Sequence, residues 1–169
     1  VTPFIRRRDD LVAVFERPEV DILTQLATDV QALLADADQV DPLSPSSRAL
    51  GRLLPAAYRD DGENDAEFRR FTAESLIDRK TRNAQAVLET LGHGDPSERT
   101  LSVILDAGGA QAWLRCLTDI RLTIAAGLGL EHDGDEQKVD RHDRFALEVY
   151  GWVGFVQETL LGALESNFS

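Results

Sequence analysis

The stretch WLRCLTDIRL, residues 113–122, places the only cysteine of the chain, Cys116, beside Asp119 and Arg121 in what reads as a helix. At about 100° per residue, Trp113, Leu117, Ile120, Ile124 and Leu128 fall in an arc about 80° wide, which marks the buried face. Arg121 lies inside that arc, about 40° from Leu117, so its guanidinium needs a partner out of water. A second apolar helix, expected from about Arg144 to Glu165, follows a short polar loop and should run antiparallel to the first. That arrangement sets Glu148 level with Arg121 as its first partner and makes Glu158 the second. Such a pair either fixes helix register or lines a polar site between helices. Asp119 and Arg115 lie nearly opposite the arc, four residues apart, and read as a solvated helix pair. Cys116 falls on the flank beside Ile120. With no His or Lys one turn away to lower its pKa, it reads as packing and not as a reactive thiol.

Lys80, one of only two lysines, sits between Leu76, Ala84 and Val87 on the apolar side of a long helix. It reads as a stem lying on apolar surface with its ammonium in water, or else as an amine suited to Schiff-base chemistry. Glu74 and Arg70 lie near it and complete a polar cluster. Glu74, Lys80, Arg121, Glu148 and Glu158 are thus the ligand or partner candidates. The residues His132, Asp133, Asp135, Glu136 and His142 match neither a calcium loop nor a helical His-x-x-x-His pair, so no metal is expected there. GLGL ends a helix instead of following a strand, which removes a phosphate-binding loop, and no Ser, His, Asp spacing suggests a triad. No cofactor is expected.

The elements that must position these groups follow from pattern. PFIRRRDDLVAVFERPEV gives two short strands around Asp9-Asp10, then a helix opened by Pro18 with Glu19 and Asp21 in its first turn. Arg6, Arg7 and Arg8 read as a charged edge guarding the hairpin. Ile22, Leu23, Leu26, Val30, Leu33 and Leu34 carry the first helix to Asp36. Ser44-Pro45 starts a short helix that Pro55 interrupts. Asn64 with Glu67 forms a capping box for a long helix ending at Gly92. TLSVIL reads as a strand that joins the hairpin, and Asp106 caps the helix that carries Cys116, which stops at Gly127 or Gly129. The helix over 144–165 is apolar nearly all round, which predicts a central place. The fold class is therefore mainly α, a helical bundle with a small antiparallel sheet of the N-terminal hairpin plus one strand near 101–105, in one domain over 1–169.

With 18 basic and 30 acidic residues, the net charge of −12 repels a phosphate backbone, and direct nucleic-acid binding is not expected. A single cysteine forms no internal disulfide, and no long apolar run is present, so the cytoplasm is expected and a membrane is not.

The order of RLLPAAYRDD, FRRFTAESLIDRKTRNAQAVLETL, AWLRCLTDIRL and VYGWVGFVQETLLGAL resembles an actinobacterial family, domain of unknown function two-thousand-and-seventeen. The resemblance covers nearly the whole chain, and none of the four segments is a catalytic motif. It implies a gene often placed near the Clp-protease adaptor and a cysteine-synthesis cluster with a JAMM-type peptidase and a sulfur-carrier protein. It also implies a transcription-linked regulator, in some members with a redox-responsive cysteine pair. This chain departs from the pair, because Cys116 stands alone. The expectation is a non-enzymatic regulatory or adaptor protein acting through protein–protein contacts, linked to transcription, proteolysis or cysteine metabolism. A homodimer is left open. The alternative is a small enzyme or ligand-binding protein with a polar site between helices.

Overall fold

The structure is a computed structural model that describes residues 2–55 and 66–166. Alternation builds the sheet. In β1 (Thr2–Arg7) and β2 (Asp10–Glu16), Phe4, Leu11, Ala13 and Phe15 point inward, and in β3 (Thr100–Leu105) so do Leu101, Val103 and Leu105. The order is β1-β2-β3, all antiparallel, with Leu11 opposite Leu105 and Glu16 opposite Thr100. The β-strand expected near 101–105 does join the hairpin.

The two-residue turn between Arg7 and Asp10 holds Arg8 at φ 57, a left-handed conformation that costs a side chain but not a glycine. Arg8→Gly is therefore expected to stabilise the protein by about 0.5–1 kcal/mol, the relieved strain less the added chain entropy. Thermal unfolding checks this, with a rise of about 1–4 °C expected.

Among the described residues five α-helices are present, four of them packed against the sheet and the remaining one packed on other helices. α1 (Arg17–Ala35) starts from a capping box in which the Glu16 amide donates to Glu19 Oε2 at 2.8 Å, and it buries Val20, Leu23, Ala27, Val30 and Leu34. α2 (Pro45–Leu53) is capped by Ser44, whose hydroxyl accepts from the Ser47 amide. α3 (Ala66–Gly92) is the longest; Asn64, the expected cap, lies outside the described residues. α4 (Ala107–Leu128) is capped by Asp106, which accepts from the Gly109 amide at 2.7 Å, and it ends on Gly129 at φ 69, where glycine tolerates the left-handed turn. α5 (Arg144–Glu165) follows two 3-10 turns at Asp135–Lys138 and Arg141–Asp143.

The packing of the helices and the edge of the sheet each differ from the sequence reading. α4, not α5, is the central helix. It packs against α1, α2, α3 and α5, while α5 leaves Phe145, Phe155 and Leu161 exposed. Trp113 of α4 is fully buried, with Phe4 and Phe15 rings 5.8 and 5.9 Å away, so the sheet closes onto α4 through an aromatic cluster. Arg6 is the second correction. Instead of only charging an edge, it donates to the carbonyls of Ala163 and Leu164 at 3.3 Å, capping the C-terminal end of α5, where a cation meets the negative end of the helix dipole.

Candidate functional site

Asp119 is the one charged or polar residue buried among the described residues, at 1% exposure. From α4 it faces α3, where Lys80 Nζ donates to Asp119 Oδ1 at 2.5 Å, and the two side chains are 2% and 17% exposed. The second carboxylate oxygen, Oδ2, is buried with no partner among the described residues. Burial pushes the Asp119 carboxyl upward, and the hydrogen bond and charge of Lys80 oppose that shift. Cys116 lies one turn earlier on the same side, 1% exposed. Desolvation first, then the Asp119 charge, pushes its thiol up to about 12, with the Lys80 charge acting in the opposite sense. A thiol so placed stays protonated and out of contact with solvent.

This arrangement overturns the solvated reading of Asp119. Asp119 sits where α3 covers α4, while Arg115, four residues earlier, stays exposed. The signal was present in the other helix: a lysine on the apolar side of α3 needed an anion, and Asp119 supplies it.

Arg121, two residues on and turned by about 200°, faces α5 instead. It does not pair with Glu148 or Glu158. Nη1 donates to Gln157 Oε1 at 3.3 Å, and the guanidinium carbon lies 4.6 Å from the centre of the Tyr150 ring. Gly154 makes room for it, since a Cβ there would come within 3.3 Å of Arg121 Cζ. Gln157 in turn donates to Thr118 Oγ1 at 2.6 Å, tying α5 to α4. Neutral and aromatic partners satisfy part of the cation, and Nε keeps no partner among the described residues. Removing this side chain leaves no buried carboxylate stranded. Arg121→Ala is thus expected to cost about 1–2 kcal/mol, the sum of a cation–π contact and one hydrogen bond, and not the larger penalty of a broken buried ion pair. Chemical denaturation of the variant checks this.

The remaining candidates are dispersed. Glu74 is exposed and meets Arg70 at 3.6 Å along one face of α3. Glu148 is exposed and lines a shallow hollow with Glu136, Gln137, Val139, Arg144 and Leu147, and Glu158 is exposed further along α5. No hydrogen bond or ion pair among the described residues joins these five candidates to one another. In the 131–143 loop, Asp135 accepts from the backbone amides of Glu131 and His132 and from Lys138 Nζ at 2.9 Å, which holds its carboxyl well below the usual carboxylate range. Its oxygens serve the loop's own fold.

A further concavity lies elsewhere. A groove of about 410 Å³ runs between α1, the α1–α2 loop, α2 and α4. Leu33, Val40, Pro45 and Ala49 give it an apolar floor, and Asp29 on α1 and Asp36, just past the end of α1, stand on its rim. No basic residue among the described residues lines it.

Comparison with known proteins places these features in a family context. The sequence matches the family described as Domain of unknown function (DUF2017) over residues 1–164. It is similar to the oxidative stress regulator AosR of Mycobacterium tuberculosis (strain ATCC 25618 / H37Rv), 28% identical over 173 residues, 85% of this chain and 77% of that protein. The putative oxidative stress regulator AosR of Mycobacterium leprae is 25% identical over 175 residues, 86% of this chain and 78% of its own length. No solved structure matches the chain significantly. No helix among the described residues is long and apolar enough to cross a membrane.

Proposed function

This chain belongs to the DUF2017 family, and from that premise we propose that it is a non-enzymatic regulatory protein that works by holding a protein partner, within the response to oxidative stress. The observation that carries this reading is the alignment with proteins named oxidative stress regulators across 85% of this chain. The groove between α1, α2 and α4 is the surface best suited to the task. Its apolar floor takes aliphatic side chains, and the Asp29 and Asp36 carboxylates favour a segment in which Lys or Arg flank them. A net charge of −12 opposes a DNA backbone and favours a basic protein segment, so regulation passes through protein contact. Cys116, buried and protonated, does not start the redox chemistry, which falls to the partner or to a step upstream.

Affinity purification of the tagged chain from its own host, in parallel with an Asp29→Arg/Asp36→Arg variant, tests the reading. A partner from transcription or redox metabolism should be enriched with the parent and depleted at least about tenfold with the variant, since reversing both rim charges replaces attraction by repulsion. Sequence-specific retardation of a promoter fragment by the protein alone, with no protein partner captured, would overturn it.

A further inference from the structure

The groove between α1, α2 and α4 has an apolar neighbour. A second hollow, of about 230 Å³, is walled by Ile22, Leu26, Ile124, Ala146 and Val149, and Phe145, 67% exposed, lines it as well. Both hollows use one stripe of α1 at three-to-four spacing: Ile22 and Leu26 line the second hollow, Asp29 and Leu33 line the groove, and Asp36 closes the stripe just past the helix end. Both also share a wall on α4, through Ile124 in one and Thr123 and Gly127 in the other. They therefore lie end to end along the α1–α4 seam, over about 21 Å from position 22 to position 36 at the helical rise. No basic residue among the described residues lines either hollow.

Resting on the reading that this groove holds a protein partner, we infer that the occupant is a basic amphipathic helix of about four turns, laid along the seam so that it fills both hollows. The walls are mainly helices, whose backbone amides and carbonyls are bonded within themselves, so they offer no ladder to an extended peptide. An occupant that satisfies its own backbone is required, and a helix does so. A second copy of this chain is the poorer fit, because a net charge of −12 sets like charge against the acidic rim.

Position along the seam sets the side chains of that helix. At one end, Ile22, Leu26 and Phe145 take bulky aliphatic or aromatic groups, which would cover the phenyl ring that the chain alone leaves in water. At the other end Asp29 and Asp36, seven residues apart, take Lys or Arg at about the same spacing, with aliphatic residues between them over Leu33 and Ala49. Gly127 supplies a plug that spares the fold. It is exposed on α4, lines the groove, and a Cβ there would meet nothing within 4 Å, so Gly127→Phe fills the groove without crowding the core and removes a helix-weakening glycine.

Fluorescence anisotropy with a labelled helical peptide of about 16 residues, carrying Leu and Phe at one end and Lys at seven-residue spacing, tests the inference. A Kd of about 1–100 μM is expected, weakened at least about tenfold when Glu replaces Lys in the peptide or proline breaks its helix. Gly127→Phe and Phe145→Asp should each weaken binding of the basic helix by a similar factor while keeping the far-ultraviolet circular dichroism of the parent. On titration with the peptide, amide chemical shifts of the parent should move along 22–36, 123–127 and 145–149. No binding up to about 1 mM, equal binding to the parent and both variants, or shifts confined to other faces would each overturn the inference. Capture of the same host partner by Gly127→Phe as by the parent would overturn it too and leave the regulatory reading standing, whereas a parent that captures no partner would sink that reading and leave the peptide measurement to decide the groove.

Discussion

Lys80→Met should lower the stability of this protein by about 3–5 kcal/mol, the range for breaking a buried ion pair by deleting one member. The methionine keeps the length of the stem, so the loss is electrostatic: Asp119, 2% exposed and already without a partner on Oδ2, would have no cation at all. For a chain of this size that corresponds to a fall in Tm of about 6–20 °C. The effect should depend on pH in a definite direction. Burial raises the Asp119 carboxyl in the folded state above its unfolded value of 3.8. In the window between those two values the folded protein binds more protons, so Asp119 favours folding at low pH and that contribution is lost as pH rises through the folded pKa. Without Lys80 the raising effect stands unopposed, so the deficit of the variant should shrink as the solution is acidified. The double variant Lys80→Met/Asp119→Leu should recover most of the loss, since a packed apolar pair replaces the charges. Urea unfolding of the parent, both single variants and the double variant at several pH values measures the whole cycle. A single variant as stable as the parent would mean that water reaches Asp119.

Cys116 should resist thiol reagents in the folded protein and react only through unfolding. Its thiol is held protonated up to about 12, against 9.0 for an unperturbed thiol, and it is 1% exposed. Modification by a small disulfide reagent at neutral pH should therefore run at least about 10³-fold slower than in the denatured chain, as expected when only the unfolded fraction reacts. The sign of the alkaline effect follows from the same numbers. Above the unfolded thiol's pKa the unfolded chain sheds a proton that the folded one keeps, so folding weakens as pH rises from about 9 to about 12. The slope approaches about 1.4 kcal/mol per pH unit, amounting to about 4 kcal/mol across the window. Cys116→Ala should remove that slope while costing little at neutral pH. Comparing the two proteins' stability from pH 8 to 11 isolates the thiol from the other groups that titrate there. Rapid labelling of the native protein would place the thiol at an open site.

Much of the fold is written in local pattern. The 3.6-residue spacing of apolar residues marks the helices, period-two alternation marks β2 and β3, and Ser44, Asp106 and Gly129 punctuate the chain at helix ends where orphaned amides and left-handed turns require such residues. The family resemblance carried by four segments in order is likewise a property of the sequence, and the match over residues 1–164 agrees with it. The oddness of Lys80 and Arg121, charges on apolar faces, is legible as well. Their partners are not. Periodicity gives the angular position of a side chain on its own helix, but it does not say which neighbour lies over that angle. Asp119 seemed solvated because it lies opposite the main apolar arc of α4. Only the tertiary structure, by surrounding α4 with α1, α2, α3 and α5, put α3 over Asp119 and brought Lys80 to it, while Arg115 four residues earlier stayed exposed. Arg121 was matched by charge to Glu148 and Glu158, yet packing set it against Tyr150, Gly154 and Gln157, because a guanidinium can be satisfied by an aromatic face and an amide oxygen as well as by a carboxylate. The sequence alone thus determined which residues needed partners, and the crossing of helices distant in the chain decided what those partners are.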